Sequence, residues 1–200
     1  MPETLAPSCR IFPPDWLGPV PPALFHPRPG APLELDLGSG KGRFLLARAA
    51  KHPATDFFGV DRMLRRIRKV DNRVRRIPLP NVRLLRAEAY YTVAYLLPPA
   101  SVDLLWVLFP DPWPKARHQN HRLFNPLFMD ALHRVLKPGA VLQFATDHAP
   151  YAEAVRGIFD ADARFAPAEP CVRPPDEQTD FERYFIQTRP IARLALRRLP

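Results

Sequence analysis

From Leu33 onward, short apolar runs alternate with stretches whose apolar residues recur at helical spacing. The runs are Leu33 to Leu37, Asp56 to Val60, Val82 to Arg86, Val102 to Phe109 and Ala140 to Thr146, each of strand length. Amphipathic stretches near 42–51, 62–77, 89–97 and 124–136 predict the intervening helices, and Asn125 with Pro126 gives the last of them an N-cap and a first-turn proline. A further helix is expected near 150–159. Two late runs, around 163–172 and 181–197, predict a closing antiparallel pair. This rhythm predicts an α/β domain: a mostly parallel, seven-stranded sheet with helices on both faces and a C-terminal antiparallel strand pair.

Before Leu33 the pattern is absent. Residues 1–32 hold ten of the 27 prolines and read as an extended N-terminal segment, which Trp16, Leu17, Leu24 and Phe25 could pin to the body. Residues 33–200 then form the single domain, for which 200 residues at 46% hydrophobic content are sufficient. A net charge of +9 favours a polyanionic partner. No apolar run approaches the ~20 residues of a membrane span and no signal-peptide core is present, so a cytoplasmic protein without a membrane partner is expected. The two cysteines, Cys9 and Cys171, have no ligand-spaced neighbours, so no metal site is expected.

In open parallel sheets, ligands bind beyond the carboxyl ends of the strands, so the strand exits carry the chemistry. The first exit reads LELDLGSGKGRF. Its third glycine comes one position too early for a dinucleotide fingerprint, and a phosphate-binding loop would need a glycine at Leu35 and a hydroxyl residue at Gly42. What remains is acid-x-G-x-G-x-G, with Asp36 followed by Gly38, Gly40 and Gly42. This resembles the first motif of class I methyltransferases, in which the acid and loop hold the amino-acid end of S-adenosylmethionine. The second exit ends on Asp61, 25 residues after Asp36, where an acid can accept the hydroxyls of a ribose. The third carries Glu88, on the adenine side. Each acid is equally suited to starting a helix near its positive dipole end. Acids at successive exits make a negative rim that suits a sulfonium and disfavours phosphates.

The fourth exit, LLWVLFPDPWPKARHQNHR, sets Asp111 between two prolines and follows it with Lys115, Arg117, His118, His121 and Arg122. An acid ending an apolar strand is expected where carboxylates are hard to solvate. The DPW step at 111–113 is similar to the D-P-P-aromatic motif of methyltransferases acting on exocyclic base amines. With FPDPWPKARH, ATDHAPYAE at 145–153 and TDFE at 179–182, the chain more closely resembles the bacterial tRNA (guanine-N7)-methyltransferase family, over about Leu33 to Arg198.

That resemblance implies a Rossmann-like class I fold and methyl transfer from S-adenosylmethionine to N7 of the variable-loop guanine (position 46) of tRNA, releasing S-adenosylhomocysteine without a metal. It places the donor on Asp36, Gly38, Gly40, Gly42, Asp61, Glu88 and Asp111, makes Asp111 the catalytic residue, and suggests a monomer. Contacts to tRNA or guanine fall on Lys115, Asp147, Thr179, Asp180, Phe181 and Glu182, and Arg117 and Arg122 adjoin them as basic residues. Rival readings are a methyltransferase for an exocyclic amine of RNA or DNA and a non-catalytic RNA-binding protein on the same fold.

N7 of guanine carries an unshared pair and no proton, so its attack on a sulfonium methyl needs alignment but no general base. The ring becomes cationic, and a carboxylate on its Watson–Crick edge would bind the transition state more tightly than the ground state. Asp111 and Asp147 are both candidates. Trp113 could stack on the base or wedge against the sheet edge. Residues Arg62 to Arg76 carry eight cations in fifteen positions, with Met63, Ile67, Val70, Val74 and Ile77 expected on the core-facing stripe. The outer face is either simply solvated or a contact for an RNA backbone.

Overall fold

A computed structural model describes residues 5–200; the first four residues of the proline-rich head lie outside them. Seven strands form one sheet: β1 Leu33–Leu37, β2 Asp56–Val60, β3 Val82–Leu85, β4 Val102–Leu108, β5 Leu136–Thr146, β6 Phe165–Pro167 and β7 Ala192–Arg198. Their order is β3-β2-β1-β4-β5-β7-β6. The first five pair in parallel, and β7 runs antiparallel to both β5 and β6. The strand order reverses between β1 and β4, which opens a crevice at their carboxyl ends. Asp36 sits opposite Trp106 in that register, close to the crevice.

The helices are α1 Pro22–Phe25, α2 Arg43–Lys51, α3 Leu64–Arg76, α4 Ala89–Tyr91, α5 Pro126–Val135, α6 Ala149–Asp160 and α7 Asp180–Phe185. A π-helical turn, Thr92–Leu96, continues α4, and a 3-10 turn spans Ala116–His121. Asn125 caps α5 as expected, its side chain accepting from Phe128 N at 3.0 Å. On α3 the buried stripe is narrower than predicted. Ile67, Val70 and Val74 face the core, whereas Met63 and Ile77 lie at the ends of the helix and are exposed. Among the described residues, no helix is long and apolar enough to cross a membrane.

The closing antiparallel pair forms between β6 and β7, but both late runs give shorter strands than expected. The run 163–172 yields only three strand residues, because Pro167 and Pro170 lack the amide hydrogens a ladder needs. The run 181–197 splits into α7 and then β7. Thr179 and Glu182 form a capping box, with Glu182 N donating to Thr179 Oγ1 at 3.0 Å and Thr179 N to Glu182 Oε2 at 3.0 Å, and this starts a helix where a strand was expected.

The proline-rich segment is also more firmly held than its composition suggests. Ile11 N donates to Leu84 O at 2.8 Å and Leu84 N to Cys9 O at 2.9 Å, which lays the segment along the free edge of β3. Asp71, on the inner side of α3, accepts from Ser8 Oγ and Cys9 N. Burial and the neighbouring Asp71 push the Cys9 thiol up to about 12. Val20 and Phe25 enter the main core, while Trp16 and Leu17, expected as anchors, are exposed.

Candidate functional site

The loop after β1 is built for close approach. Gly38 N and Ser39 N both donate to Val60 O, at 2.8 and 2.9 Å, folding the loop back over β2. Gly40 and Gly42 have φ of 58° and 74°, and a Cβ at Gly42 would come within 2.6 Å of Val70 Cγ2. Only glycine lets α2 begin this near α3. Ser39 Oγ is buried without a hydrogen-bond partner. Beneath the loop, Asp36 is 3% exposed, and burial pushes its carboxyl up to about 7. Arg173 opposes that rise through its charge, while Asp61 and Glu34 add to it.

Asp61 ties the second exit to the loop. Its Oδ2 accepts from Gly40 N at 3.1 Å and Arg66 at 3.2 Å, and its Oδ1 from Met63 N at 2.7 Å. Glu88 is the N-cap of α4, accepting from Tyr90 N and Tyr91 N at 3.0 and 2.7 Å. With Gly38 and Asp111, these two acids line a cavity of about 250 Å³. A neighbouring cavity of about 340 Å³ is lined by Asp36, Gly38, Gly40, Gly42, Thr179, Asp180 and Phe181. The two cavities share Gly38, Arg66, Leu108 and Phe109, so they form one cleft at the crevice between β1 and β4.

Asp111 departs from the sequence expectation. Its side chain is 73% exposed, and its contact with Arg62, also exposed, is long at 3.9 Å. The chain turns out of the sheet at Phe109, with φ of 54°, and again at Trp113, with φ of 43°. These are strained values for bulky residues, and they carry the acid past the apolar end of the strand to the mouth of the cleft. Phe109 is held by Phe181, with ring centroids 4.7 Å apart, and by its N–H to Ala145 O. Trp113 packs against His121, at 5.0 Å between centroids, and lines the cleft instead of wedging into the sheet.

The remaining predicted residues do not line the cleft. Asp147 is bound by Arg189 at 2.6 Å. Lys115 and Arg117 project from the exposed loop after Asp111. Arg122 Nε donates to Pro112 O at 2.9 Å, and its guanidinium lies 4.9 Å from the Tyr151 ring, which holds the DPW loop onto α6. Glu182 is not placed for contact with a macromolecule: it is 0% exposed and paired with Arg173 and with Arg193. Arg173 is the residue sequence reasoning missed most plainly. It sits buried near Asp36, with Phe44 and Trp106 under its guanidinium, and nothing in its local sequence signals this. Arg66, on the charged face of α3, lines both cavities.

The acids of the lining suit a cationic group, and Lys41, Arg43, Arg62 and Arg66 border the same cleft. A carboxyl whose pKa is raised by burial gains from a nearby positive charge, and among the described residues the buried Ser39 hydroxyl has no hydrogen-bond partner. Asp36, the glycine loop, Asp61 and Glu88 are the residues that would hold S-adenosylmethionine.

A family profile described as "Putative methyltransferase" matches residues 30–188. A tRNA (guanine-N(7)-)-methyltransferase of Caulobacter sp. (strain K31) is 41% identical over 156 residues, covering 75% of this chain and 69% of that protein. Enzymes of the same name from Halorhodospira halophila (strain DSM 244 / SL1) and Mycobacterium avium (strain 104) are each 38% identical, over 76% and 70% of this chain and 68% and 54% of their own lengths. The chain thus spans between about half and about two thirds of these relatives. Among solved structures, the 16S rRNA methyltransferase KamB aligns with a TM-score of 0.63 at 20% identity, covering 84% of this chain and 88% of that one, which establishes the shared fold. By its profile match and these relatives, the chain belongs to the tRNA (guanine-N7)-methyltransferase family of class I, S-adenosylmethionine-dependent enzymes.

Proposed function

We propose that this protein transfers the methyl group of S-adenosylmethionine to N7 of the variable-loop guanine (position 46) of tRNA. The observation that carries the proposal is the single cleft at the β1/β4 crevice, which joins Asp36, the glycine loop, Asp61 and Glu88 to an exposed Asp111 at its mouth.

The donor supplies an electrophilic methyl on a sulfonium. Asp36 faces the positive amino-acid end. Asp61 takes the ribose: a carboxylate offers about four acceptor positions, three are filled, and the contact from the half-exposed Arg66 is the one a hydroxyl can displace. Asp111 accepts from the guanine edge. It is preferred over Asp147, which is already paired with Arg189 and does not line the cleft. Flanking prolines and the Arg122 contact to Pro112 O restrict the loop, so the acid is positioned before the base arrives. No proton leaves N7, and no residue is assigned as general base. Lys115 and Arg117 meet phosphates beside the cleft.

Methyl transfer to unmodified tRNA, followed by strand cleavage specific for N7-methylated guanine, tests the proposal. Cleavage at the variable-loop guanine is expected. A methyl group found on an exocyclic amine, or no transfer with tRNA binding intact, would replace it with one of the rival activities.

A further inference from the structure

We propose that the cavity between the N-terminal segment and the exit of β3 is a second RNA-binding site, which takes one unpaired nucleotide of the substrate. The base lies against Phe12 and Trp16, and the phosphate against Arg10, Arg62 and Arg86. This rests on the tRNA-methyltransferase function and extends it to a segment for which that function supplies no role.

The cavity holds about 500 Å³, ample for a nucleotide. Its floor includes Leu84, which is fully buried. Its rim is different. Phe12 is 68% exposed and Trp16 44% exposed, although the backbone that carries them is fastened on both sides. The edge pairing with β3 holds residues 9–11, and the Tyr91 hydroxyl donates to Trp16 O. These aromatics are therefore held in place without contributing their rings to the core. The Arg10 guanidinium lies 4.9 Å from the Phe12 centroid, so a flat hydrophobic face and a positive charge are presented together.

The charge around the cavity is one-sided. Among the described residues, Glu88 is the one acid in the lining, and both its oxygens take backbone N–H groups of α4. Among the described residues, the Arg62 guanidinium has only its long contact with exposed Asp111, a pair worth little in solvent. A stacked base with a neutralised phosphate is the chemistry that uses both halves of such a rim. The position fits as well. Arg62, Ala87 and Glu88 border both this cavity and the donor cavity, and the cationic outer face of α3 begins beside them at Arg65. Asp71, the single acid of that helix, faces inward to Ser8 and Cys9, so the outer face carries no acid of its own.

The test uses the full chain, the double variant Phe12→Ala/Trp16→Ala and, separately, Arg86→Glu. Binding of unmodified tRNA, a short single-stranded RNA and AMP is followed by fluorescence anisotropy and competition, with S-adenosylhomocysteine binding by calorimetry and kcat at saturating tRNA alongside. Both variants are expected to bind the two RNAs about ten-fold more weakly, with donor-product affinity and kcat unchanged and AMP a poor competitor. RNA affinity unchanged in both variants overturns the proposal. So does AMP competing as well as the short RNA, which makes the cavity a free-nucleotide site. Loss of S-adenosylhomocysteine binding in the variants also overturns it, by making the aromatics part of the donor site. If the short RNA binds through these residues but the wild type methylates no tRNA, the enzymatic function falls and the RNA site stands. Normal methylation with RNA affinity indifferent to the variants removes the RNA site alone.

Discussion

If Asp36 faces the positive end of the donor, as proposed, donor binding depends on pH by an amount that follows from its raised pKa. Burial lifts its carboxyl from an ordinary 3.8 to about 7, since Arg173 offsets only part of the desolvation. In the free protein at pH 7 the group is therefore about half protonated. The positive end of the donor favours the ionised form, so binding should expel about half a proton at pH 7. If only the ionised form binds well, the apparent Kd scales as one plus the protonated-to-ionised ratio. That ratio is ~30 at pH 5.5 and ~1 at pH 7, so affinity should rise about 15-fold between them. The ligand's own amino group, ordinarily near ~7.7–8.0, stays largely cationic over this window. Calorimetry with S-adenosylhomocysteine in buffers of different ionisation enthalpy measures both quantities. Asp36→Asn should bind weakly and with a flat pH profile. An affinity independent of pH in the wild type, or a slope that survives in Asp36→Asn, would refute the reasoning. The same shift has a sign for stability. A carboxyl with a raised folded-state pKa favours the fold below about 3.8 and loses that contribution as pH rises through about 7. The ligand-free protein should therefore gain more from added S-adenosylhomocysteine at pH 8 than at pH 5.5, read as the shift in Tm.

Asp111→Ala should lower the single-turnover rate by about 10²-fold or more while tRNA affinity stays near wild type, and an equal loss of binding would show that the acid positions the RNA instead. Lys115→Ala should weaken tRNA binding and reduce the slope of log affinity against log salt by up to ~0.9, measured by filter binding. Arg122→Ala should differ from it by lowering kcat as well, because the guanidinium holds the Pro112 carbonyl next to Asp111. Glu182→Ala strands Arg173 and Arg193 and should cost about 3–5 kcal/mol in urea unfolding, whereas Thr179→Ala, which removes only the cap hydrogen bond, should cost about 1 kcal/mol.

The parts legible in the sequence are those fixed by local pattern. β1 and β2 fall on their predicted residues because both are written at strand length, β2 as the apolar run Phe57 to Val60 and β1 as leucines alternating with Glu34 and Asp36 at the two-residue period of a strand. The glycine loop was legible because its backbone geometry admits few other residues. The C-terminal third was not, although its signal was present. The Thr179–Glu182 spacing is a capping box in plain text, but the apolar content of residues 181–197 outweighs it when only strand and helix periods are compared. Arg173 was hidden for a different reason. A cation in a proline-rich loop reads as solvated, and only the fold brings it beneath Asp36 and onto Glu182.

The chain is basic overall, yet Asp36, Asp61, Glu88, Asp111 and Asp180 all line its cleft. Much of the positive charge lies on exposed faces, chiefly the outer side of α3 and the loop after Asp111. The acids of the cleft stand at strand ends, where the backbone fixes them and burial raises the cost of leaving them unmatched. The cleft itself is mixed: Lys41, Arg43, Arg62 and Arg66 line it beside the acids, so the surface can draw in a polyanion while the fixed carboxylates at the strand ends are left to meet a cation. Reversing the sign at the rim should separate these effects. Asp61→Asn should weaken donor binding and leave the salt dependence of tRNA binding unchanged, whereas Arg65→Glu with Arg68→Glu should flatten that dependence and leave the donor alone. A parallel loss of both ligands in either variant would mean that one continuous field, and not two segregated ones, governs binding.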